Sequence, residues 1–399
     1  MSETGVTESP GESLVSGYSG RVFVAIAVGW AGLRLGRGVL PPLLPAVIDG
    51  LAISPFRAGL ALTTMTALNA GFQFLGGRFA DAWTRKTVIA ASLGVLLVGL
   101  AVLSGAVTYA LLLVGAAVVG VAGGLFFVPM RAALADVFVA RRGRAYGINE
   151  GVGSLATVGA AGIAAVVVDV TTWRTAFLPG LALAAVGLVV LHYWHRESYV
   201  VGRTRFQFRG TAANVLGDPR TRLVLLAYSL VVFAMKGAFG FLPTFLQAER
   251  SFSPALASGA YALLFVTGAV GMPLSGALSD RTDRRTVAVA FVVVAAVGLA
   301  AIVAAPAKPL ILVAVAVFAG GILGFPPVVQ AYLMDRFPDE TMGRDFGGFK
   351  TVYLAVGSAG PAFVGYVADT WGYAPAYLSL AGCLVAAATV IGWVLHRRV

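Results

Sequence analysis

Charged residues are scarce in this chain. Asp, Glu, Lys and Arg together make up 12% of its 399 residues, and hydrophobic residues make up 58%. Soluble domains carry about 25% charged residues. The apolar segments, six in each half of the chain, approach or exceed the roughly 20 residues that a helix needs to cross the hydrocarbon layer of a membrane. This composition excludes a soluble globular domain and indicates a helical membrane protein.

Cysteine and histidine are also rare. The single cysteine, Cys383, excludes an intramolecular disulfide, and the 3 histidines form no cluster with it that would suggest a metal site. The sequence contains no phosphate-binding loop and no pairing of a nucleophile with a base. We therefore expect no metal, no cofactor and no enzymatic activity.

Basic residues outnumber acidic ones, and the net charge is +11. When the apolar segments are threaded through a membrane, most Lys and Arg residues outside them fall on one side. Only Arg57, Arg174, Arg250 and Lys308 fall on the other side. Because loops rich in Lys and Arg stay in the cytoplasm, this asymmetry predicts that both termini are cytoplasmic. The basicity therefore encodes orientation, and it does not indicate a nucleic-acid partner.

A ten-residue motif occurs once in each half of the chain. The sequence Gly77-Arg-Phe-Ala-Asp81-Ala-Trp-Thr-Arg85-Lys86 is matched in pattern by Gly276-Ala-Leu-Ser-Asp280-Arg-Thr-Asp-Arg284-Arg285. Each copy lies between two apolar segments. The duplicated pattern resembles the loop after the second and eighth helices of major facilitator superfamily transporters.

This resemblance implies an all-α membrane protein with twelve transmembrane helices in two pseudo-symmetric six-helix bundles, whose halves are related by an axis along the membrane normal. It also implies a plasma-membrane location and a monomer that contacts the lipid bilayer and a small-molecule substrate. The predicted domains are a disordered cytoplasmic tail (1–20), an N-terminal bundle (21–195), a cytoplasmic linker (196–222) and a C-terminal bundle (223–399).

The motif residues are candidates for a gate. Gly77 and Gly276 are expected to form tight turns, and in the family the Asp of the motif, here Asp81 and Asp280, closes a latch across the two halves. The basic pairs are expected to anchor the following helices at the anionic leaflet: Arg85, Lys86, Arg284 and Arg285. Thr84 and Asp283 depart from the family pattern, which has Gly there. A loop that only sets topology is the alternative.

Cations inside the spans are the strongest candidates for binding, because the bilayer makes them costly. Arg34 and Arg37 lie midway along the first segment, and Lys236 lies midway along the seventh. The resemblance makes these two helices face each other, so we expect an anion clamp split between the halves. They lie about 12 residues, or ~18 Å, from either helix end, too far for a side chain that snorkels to the interface.

The apolar segments contain almost no acid. Glu150, near the cytoplasmic end of the fifth segment, is the exception, and its equivalent in the second half is Lys350. This pair could form a gate between the halves or serve local packing. Arg131 is expected to join Asp81 and Asp136 in a gating network.

Other side chains could line a central cavity, although such residues also make ordinary hydrogen bonds between helices. Those chosen for substrate binding are Trp30, Asn69, Gln73, Tyr261 and Gln330. The sequence thus predicts a transporter for a small, anionic solute that works by alternating access. A multidrug exporter of the same fold is the alternative, and a transport-inactive sensor is disfavoured by the short loops.

Overall fold

The computed structural model describes residues 13–202, 219–334 and 342–396. Within these ranges the chain forms α-helices and a 3-10 helix, Trp173–Phe177, and contains no strand. The N half comprises α1 (Gly17–Gly38), α2 (Leu40–Leu51), α3 (Pro55–Ala82), α4 (Arg85–Ser104), α5 (Tyr109–Val137), α6 (Arg142–Val170) and α7 (Leu178–Trp194). The C half comprises α8 (Pro219–Arg250), α9 (Pro254–Arg281), α10 (Arg284–Ala304), α11 (Lys308–Met334), α12 (Met342–Gly357), α13 (Gly360–Trp371) and α14 (Tyr373–His396).

α7 ends at Trp194 and α8 begins at Pro219, which lies within the predicted linker 196–222. α1 begins at Gly17, inside the predicted tail 1–20, of which residues 1–12 lie outside the described ranges. Most of the predicted linker, residues 203–218, also lies outside them.

Most of the helices are long and apolar enough to cross a bilayer. Among the described residues, 10 spans meet this condition, and α1 with α2, which meet at an angle of 40°, would make an eleventh. Pro41 and Pro42 explain that bend, because proline lacks an amide hydrogen and clashes with the preceding turn. α3 is not among these spans because Thr63, Thr66, Asn69 and Gln73 make it more polar. Its 28 residues would still extend for about 42 Å.

The duplicated motif lies mainly inside helices. Gly77 and Gly276 are helical residues of α3 and α9, so the predicted tight turns at these glycines are wrong. The turn comes later and is very short. Thr84 and Asp283, the two residues that depart from the family pattern, cap α4 and α10, and each accepts a hydrogen bond from the amide three residues on. A side-chain cap thus begins the next helix at the place where the family has glycine.

Hydrogen bonds join the two halves at one end of the bundle. We call the end with the connections 83–84, 138–141 and 282–283 the basic face, and the end with 52–54, 105–108 and 251–253 the opposite face. At the opposite face the Asp369 carboxylate accepts a hydrogen bond of 3.0 Å from the Phe56 amide, and Thr63 Oγ1 accepts one of 3.0 Å from the Ala362 amide. A Cβ atom on Gly59 would lie 2.4 Å from a carbonyl oxygen of α13. The halves therefore pack backbone to backbone at the opposite face.

Candidate functional site

Three predicted cations come together between the halves. Arg34 and Arg37 lie on α1, Lys236 lies on α8, and all three are partly buried. The charges that act on the Lys236 ammonium are those of Arg37 and Arg34, so the three side chains are within electrostatic range of one another. The buried Tyr261 of α9 lies within the same range of both arginines. We call these four residues the central cluster.

Arg34 is held in place by its neighbours in the N half. Its Nε donates to the Gly153 carbonyl oxygen of α6 at 3.4 Å. The guanidinium carbon lies 5.5 Å from the centre of the Trp30 ring, close enough for a cation–π contact. Trp30 in turn stacks on Phe126 of α5, with ring centroids 6.0 Å apart. Glu150 also lies within electrostatic range, so Arg34 already has partial compensation for its charge.

Arg37 lies in a different environment. A Cβ atom added to Gly123 of α5 would lie 2.9 Å from Arg37 Nη1 and 2.6 Å from Asn69 Nδ2. Both polar groups therefore lie directly against the backbone of α5, in space that only glycine leaves open. Gln73 Nε2 donates to Asn69 Oδ1 at 3.2 Å and fixes the orientation of that amide. The predicted residues Asn69 and Gln73 thus lie beside the central cluster.

Arg37 and Lys236 share one property that Arg34 lacks. Neither makes a hydrogen bond or an ion pair with any residue in the described part of the chain. Buried charges in proteins are normally paired, because removing an ion from water costs several kcal/mol. Two cations without a protein partner, one on each half, are what a site for an anion requires.

Gln330 is not part of this cluster. It lies beside the Tyr228 hydroxyl, in the core of the C half. Tyr228 packs against Tyr353 at a centroid distance of 4.2 Å and against Phe325 at 5.2 Å. The sequence could not separate Gln330 from the cavity residues, since a polar residue in an apolar helix fits either position.

The ion pairs on the basic face join residues of the same half. Asp81 lies 4.0 Å and Asp136 lies 3.3 Å from the Arg85 guanidinium, whose Nη1 also donates to the carbonyl of the last turn of α3. In the C half Asp280 lies 3.9 Å from Arg284. The Asp81 carboxylate is 75% exposed. In the described residues neither Asp reaches across to the other half.

The sequence predicts that Arg131 joins Asp81 and Asp136, but in the structure Arg131 pairs with another residue. Its guanidinium lies 3.1 Å from Glu150, because α6 begins beside it and the Tyr146 hydroxyl bonds the Arg131 carbonyl. Asp136 instead forms an ion pair with Arg85 of the motif. The expected three-member network therefore divides into two separate pairs.

Lys350 brings the C half close to this second pair. Its ammonium lies 4.5 Å from the centre of the Phe127 ring, and Arg131 lies 4.7 Å from the same centre. Arg131 and Glu150 are the charges that act on Lys350. The repeat partners Glu150 and Lys350 are thus near each other across the halves, although their charged groups do not form an ion pair here.

The predicted lipid anchor at Lys86 is wrong. Its side chain is 6% exposed, and its ammonium donates to the carbonyl oxygens of His192 at 2.9 Å and His195 at 2.6 Å. The Glu197 carboxylate accepts a hydrogen bond of 2.9 Å from the Lys86 amide. These bonds satisfy carbonyls that the end of α7 leaves open, so Lys86 ties α4 to α7. Arg285, by contrast, lies over the Tyr332 ring at 5.7 Å.

Burial lowers the pKa of His195, and the nearby Glu197 carboxylate only partly opposes this effect. The ring is 8% exposed, and its Nδ1 accepts a hydrogen bond of 3.3 Å from the Glu197 amide. His195 is therefore held as a neutral acceptor at the basic face.

Sequence reasoning missed the residues that contribute through their backbone or their small size. Gly123 and Gly153 make room for Arg37 and for the Trp30 indole, and the Gly153 carbonyl holds Arg34. Asp369 and Thr63 join the halves at the opposite face. No local signal distinguishes these residues from the many others of their type in the apolar segments.

Comparison with known proteins gives one consistent family. The model of the Major Facilitator Superfamily matches residues 26–306 and 224–399. The hexuronate transporter of Bacillus subtilis (strain 168) is 22% identical over 390 residues, which is 90% of each chain. The MFS-type efflux transporter ffsH of Aspergillus flavipes is 31% identical over 144 residues, which is 35% of this chain and 26% of that protein.

Solved structures agree on the fold. A bacterial homolog of the human lysosomal transporter Spinster, in an inward-facing and occupied conformation, has a TM-score of 0.82 at 15% identity, covering 97% of this chain and 98% of that one. The nucleoside transporter NupG has a TM-score of 0.78 at 13% identity, covering 94% and 100%. At such low identity the likeness concerns the fold alone.

Proposed function

This chain belongs to the Major Facilitator Superfamily, and we propose that it moves a small anionic solute across the plasma membrane by alternating access. It is a multi-pass membrane transporter, and the relatives found are transporters and not enzymes. The predicted all-helical membrane fold is confirmed.

One observation is the main support for an anionic substrate. Arg37 of the N half and Lys236 of the C half are near each other, partly buried, and without a hydrogen-bonding or ionic partner in the described residues. An anion bound between them would neutralise a cation on each half. It would therefore bind best when the halves close around it, and this difference in affinity couples binding to the conformational change. The match to a hexuronate transporter, whose named solute is an anion, supports the same class.

The arrangement of the halves supports a state open toward the basic face. Hydrogen bonds between the halves, such as that from Phe56 to Asp369, lie at the opposite face, whereas the ion pairs of the basic face stay within one half. We propose that the basic face is cytoplasmic, that both termini lie there, and that the protein works as a monomer. On this view the structure represents the inward-open state.

Closure of the basic face would need new contacts between the halves. Glu150 and Lys350 are placed to provide one, because Glu150 pairs with Arg131 at 3.1 Å, the Lys350 ammonium lies 4.5 Å from the centre of the Phe127 ring, and the Glu150 charge acts on Lys350. We propose that Glu150 exchanges Arg131 for Lys350 as the face closes. The motif residues Asp81 and Asp280 would then approach the other half as the latch of the family does.

A substrate screen in proteoliposomes tests the proposal. Uptake of labelled carboxylates and phosphate esters is compared with that of lipophilic cations, for the native protein and for Arg34→Gln, Arg37→Gln and Lys236→Gln. Anion uptake that is reduced about tenfold or more in the Arg37 and Lys236 variants is expected, since a hydrogen bond to a charged group contributes about 1.5–3 kcal/mol. Lys308→Gln is the matched control, because Lys308 lies on the opposite face with its own partner, the Ser251 carbonyl oxygen, at 2.7 Å.

The second candidate is a multidrug exporter of the same fold. The partial match to an efflux transporter favours it, as do the aromatic rings of Trp30, Phe126 and Phe127 beside the central cluster. Flux of lipophilic cations that survives all three neutral substitutions would support this candidate and remove the anion clamp.

A further inference from the structure

The three cations of the central cluster do not have equal roles. Arg34 is bonded to the Gly153 carbonyl oxygen, lies over the Trp30 ring, and has Glu150 within electrostatic range. Arg37 and Lys236 have no such compensation among the described residues. Two cations between the halves, one contributed by each half, therefore have neither a hydrogen bond nor an ion pair among the described residues, and we call these two uncompensated.

That number constrains the charge of the substrate. When the halves close, water leaves the site, and an ion that stays unpaired in a low-dielectric interior costs several kcal/mol. A monoanion would neutralise Arg37 or Lys236 and leave the other cation unpaired. A dianion would neutralise both, so that closure carries no penalty from a remaining charge.

We propose that the substrate is a dianion with two anionic oxygens or groups, one bound by Arg37 and the other by Lys236, while Arg34 positions the site. This inference rests on the proposed anion transport. The chemistry of the two side chains fits it. The guanidinium group binds a carboxylate or phosphate through two parallel hydrogen bonds, and the lysine ammonium acts as a point charge.

Asn69 and Tyr261 lie beside these cations. The Asn69 amide nitrogen lies against Gly123 next to Arg37, and Tyr261 supplies a hydroxyl within range of both arginines. Neither brings a negative charge. Among the described residues the site therefore contains neutral hydrogen-bonding groups and cations, and none of these residues brings a carboxylate that would compete with the substrate for Arg37 or Lys236.

Dicarboxylates and phosphate monoesters are the two sources of such a dianion. Each has a matched monoanion of almost the same shape: the half methyl ester of the dicarboxylate, and the methyl diester of the phosphate. Binding of the four compounds to the purified full-length protein is measured by calorimetry at pH 7.5, where a phosphate monoester, with a second pKa of about 6, is doubly charged. Within each pair, the two compounds differ in one charge and in little else.

We expect at least one dianion to bind about tenfold or more tightly than its matched monoanion. The pair that shows the difference identifies the source. In Lys236→Gln the difference should disappear, because one uncompensated cation remains. In Arg34→Gln both affinities should fall while their ratio stays, as a positioning residue requires.

Three results would overturn the inference. If monoanions bind as tightly as the dianions, the substrate is singly charged and the anion clamp alone stands. If Arg34→Gln removes the preference and Lys236→Gln keeps it, the assignment of the cations is wrong. If none of the four compounds binds and lipophilic cations do, the proposed anion transport fails together with the inference. Thermal unfolding of each variant shows whether it is folded.

Discussion

Substitution of Lys236 by glutamine is expected to stabilise the substrate-free protein while it weakens anion binding. The ammonium is partly buried, has no protein partner among the described residues, and is repelled by Arg37 and Arg34. An ion buried without a partner carries a desolvation penalty of several kcal/mol, which a neutral glutamine does not have. Because Lys236 is not fully buried, we expect about 1–2 kcal/mol. At about 2–4 °C per kcal/mol this raises the unfolding temperature by roughly 2–8 °C.

The assay is thermal unfolding of the purified protein in detergent, without and with a transported anion. Without the anion, Lys236→Gln should unfold at a higher temperature than the native protein. An anion concentration that saturates the native protein should raise its unfolding temperature, and the same concentration should raise that of the variant by less, since stabilisation by a ligand falls as its affinity falls.

Lys308→Gln is again the matched control. This exposed lysine donates to the Ser251 carbonyl oxygen at 2.7 Å and lies 5.6 Å from the centre of the Phe252 ring. Its loss should lower stability by at most about 1 kcal/mol and leave anion binding intact. A Lys236→Gln variant that unfolds at a lower temperature than the native protein would refute the reasoning, because it would show that the ammonium is stabilised by partners in the protein.

Three further predictions concern the two faces. Lys86→Met leaves two carbonyls at the end of α7 without donors. Chemical unfolding should show a loss of about 1–3 kcal/mol in stability, and anion affinity should not change. An unchanged stability would mean that water replaces the ammonium. Because burial lowers the pKa of His195, the unfolded state binds more protons as the pH falls through about 6.5. Stability should therefore be complete above that pH and decline below it, and His195→Gln should weaken this decline in unfolding temperatures measured from pH 8 to 5. Asp369→Ala removes the carboxylate that caps α3 across the halves. The closed form of the opposite face should lose about 1 kcal/mol of stability and therefore open more often. Spin-label distances between positions 57 and 370 would lengthen, and an unchanged distribution would exclude a gate there.

The predictions from sequence succeeded where a single property of one segment was enough. The membrane-spanning helices follow from apolar length, and the two halves follow from the duplicated motif. The sequence also singled out Arg34, Arg37 and Lys236, because a cation in an apolar helix is costly, and the family resemblance predicted that their two helices face each other.

The predictions failed where the neighbours of a side chain decide its role. Lys86 looks like a lipid anchor in the sequence, yet α7 ends beside it and its ammonium is buried. Gly77 and Gly276 look like turn residues, yet Thr84 and Asp283 cap the next helices and make the turn shorter. In each case the partner lies in another segment or uses its backbone, which the spacing of residues along the chain does not reveal.

The sequence by itself thus determined that this protein is a two-part helical transporter with positive charge at its centre, since hydrophobicity and duplication can be read along one dimension. Only the tertiary structure decided which of these charges are compensated. Gly153 is far from Arg34 in the chain, and Gly123 is far from Arg37, but folding brings each pair together. Electrostatic compensation depends on distances between atoms, and those distances are set by the packing of α5 and α6 against α1.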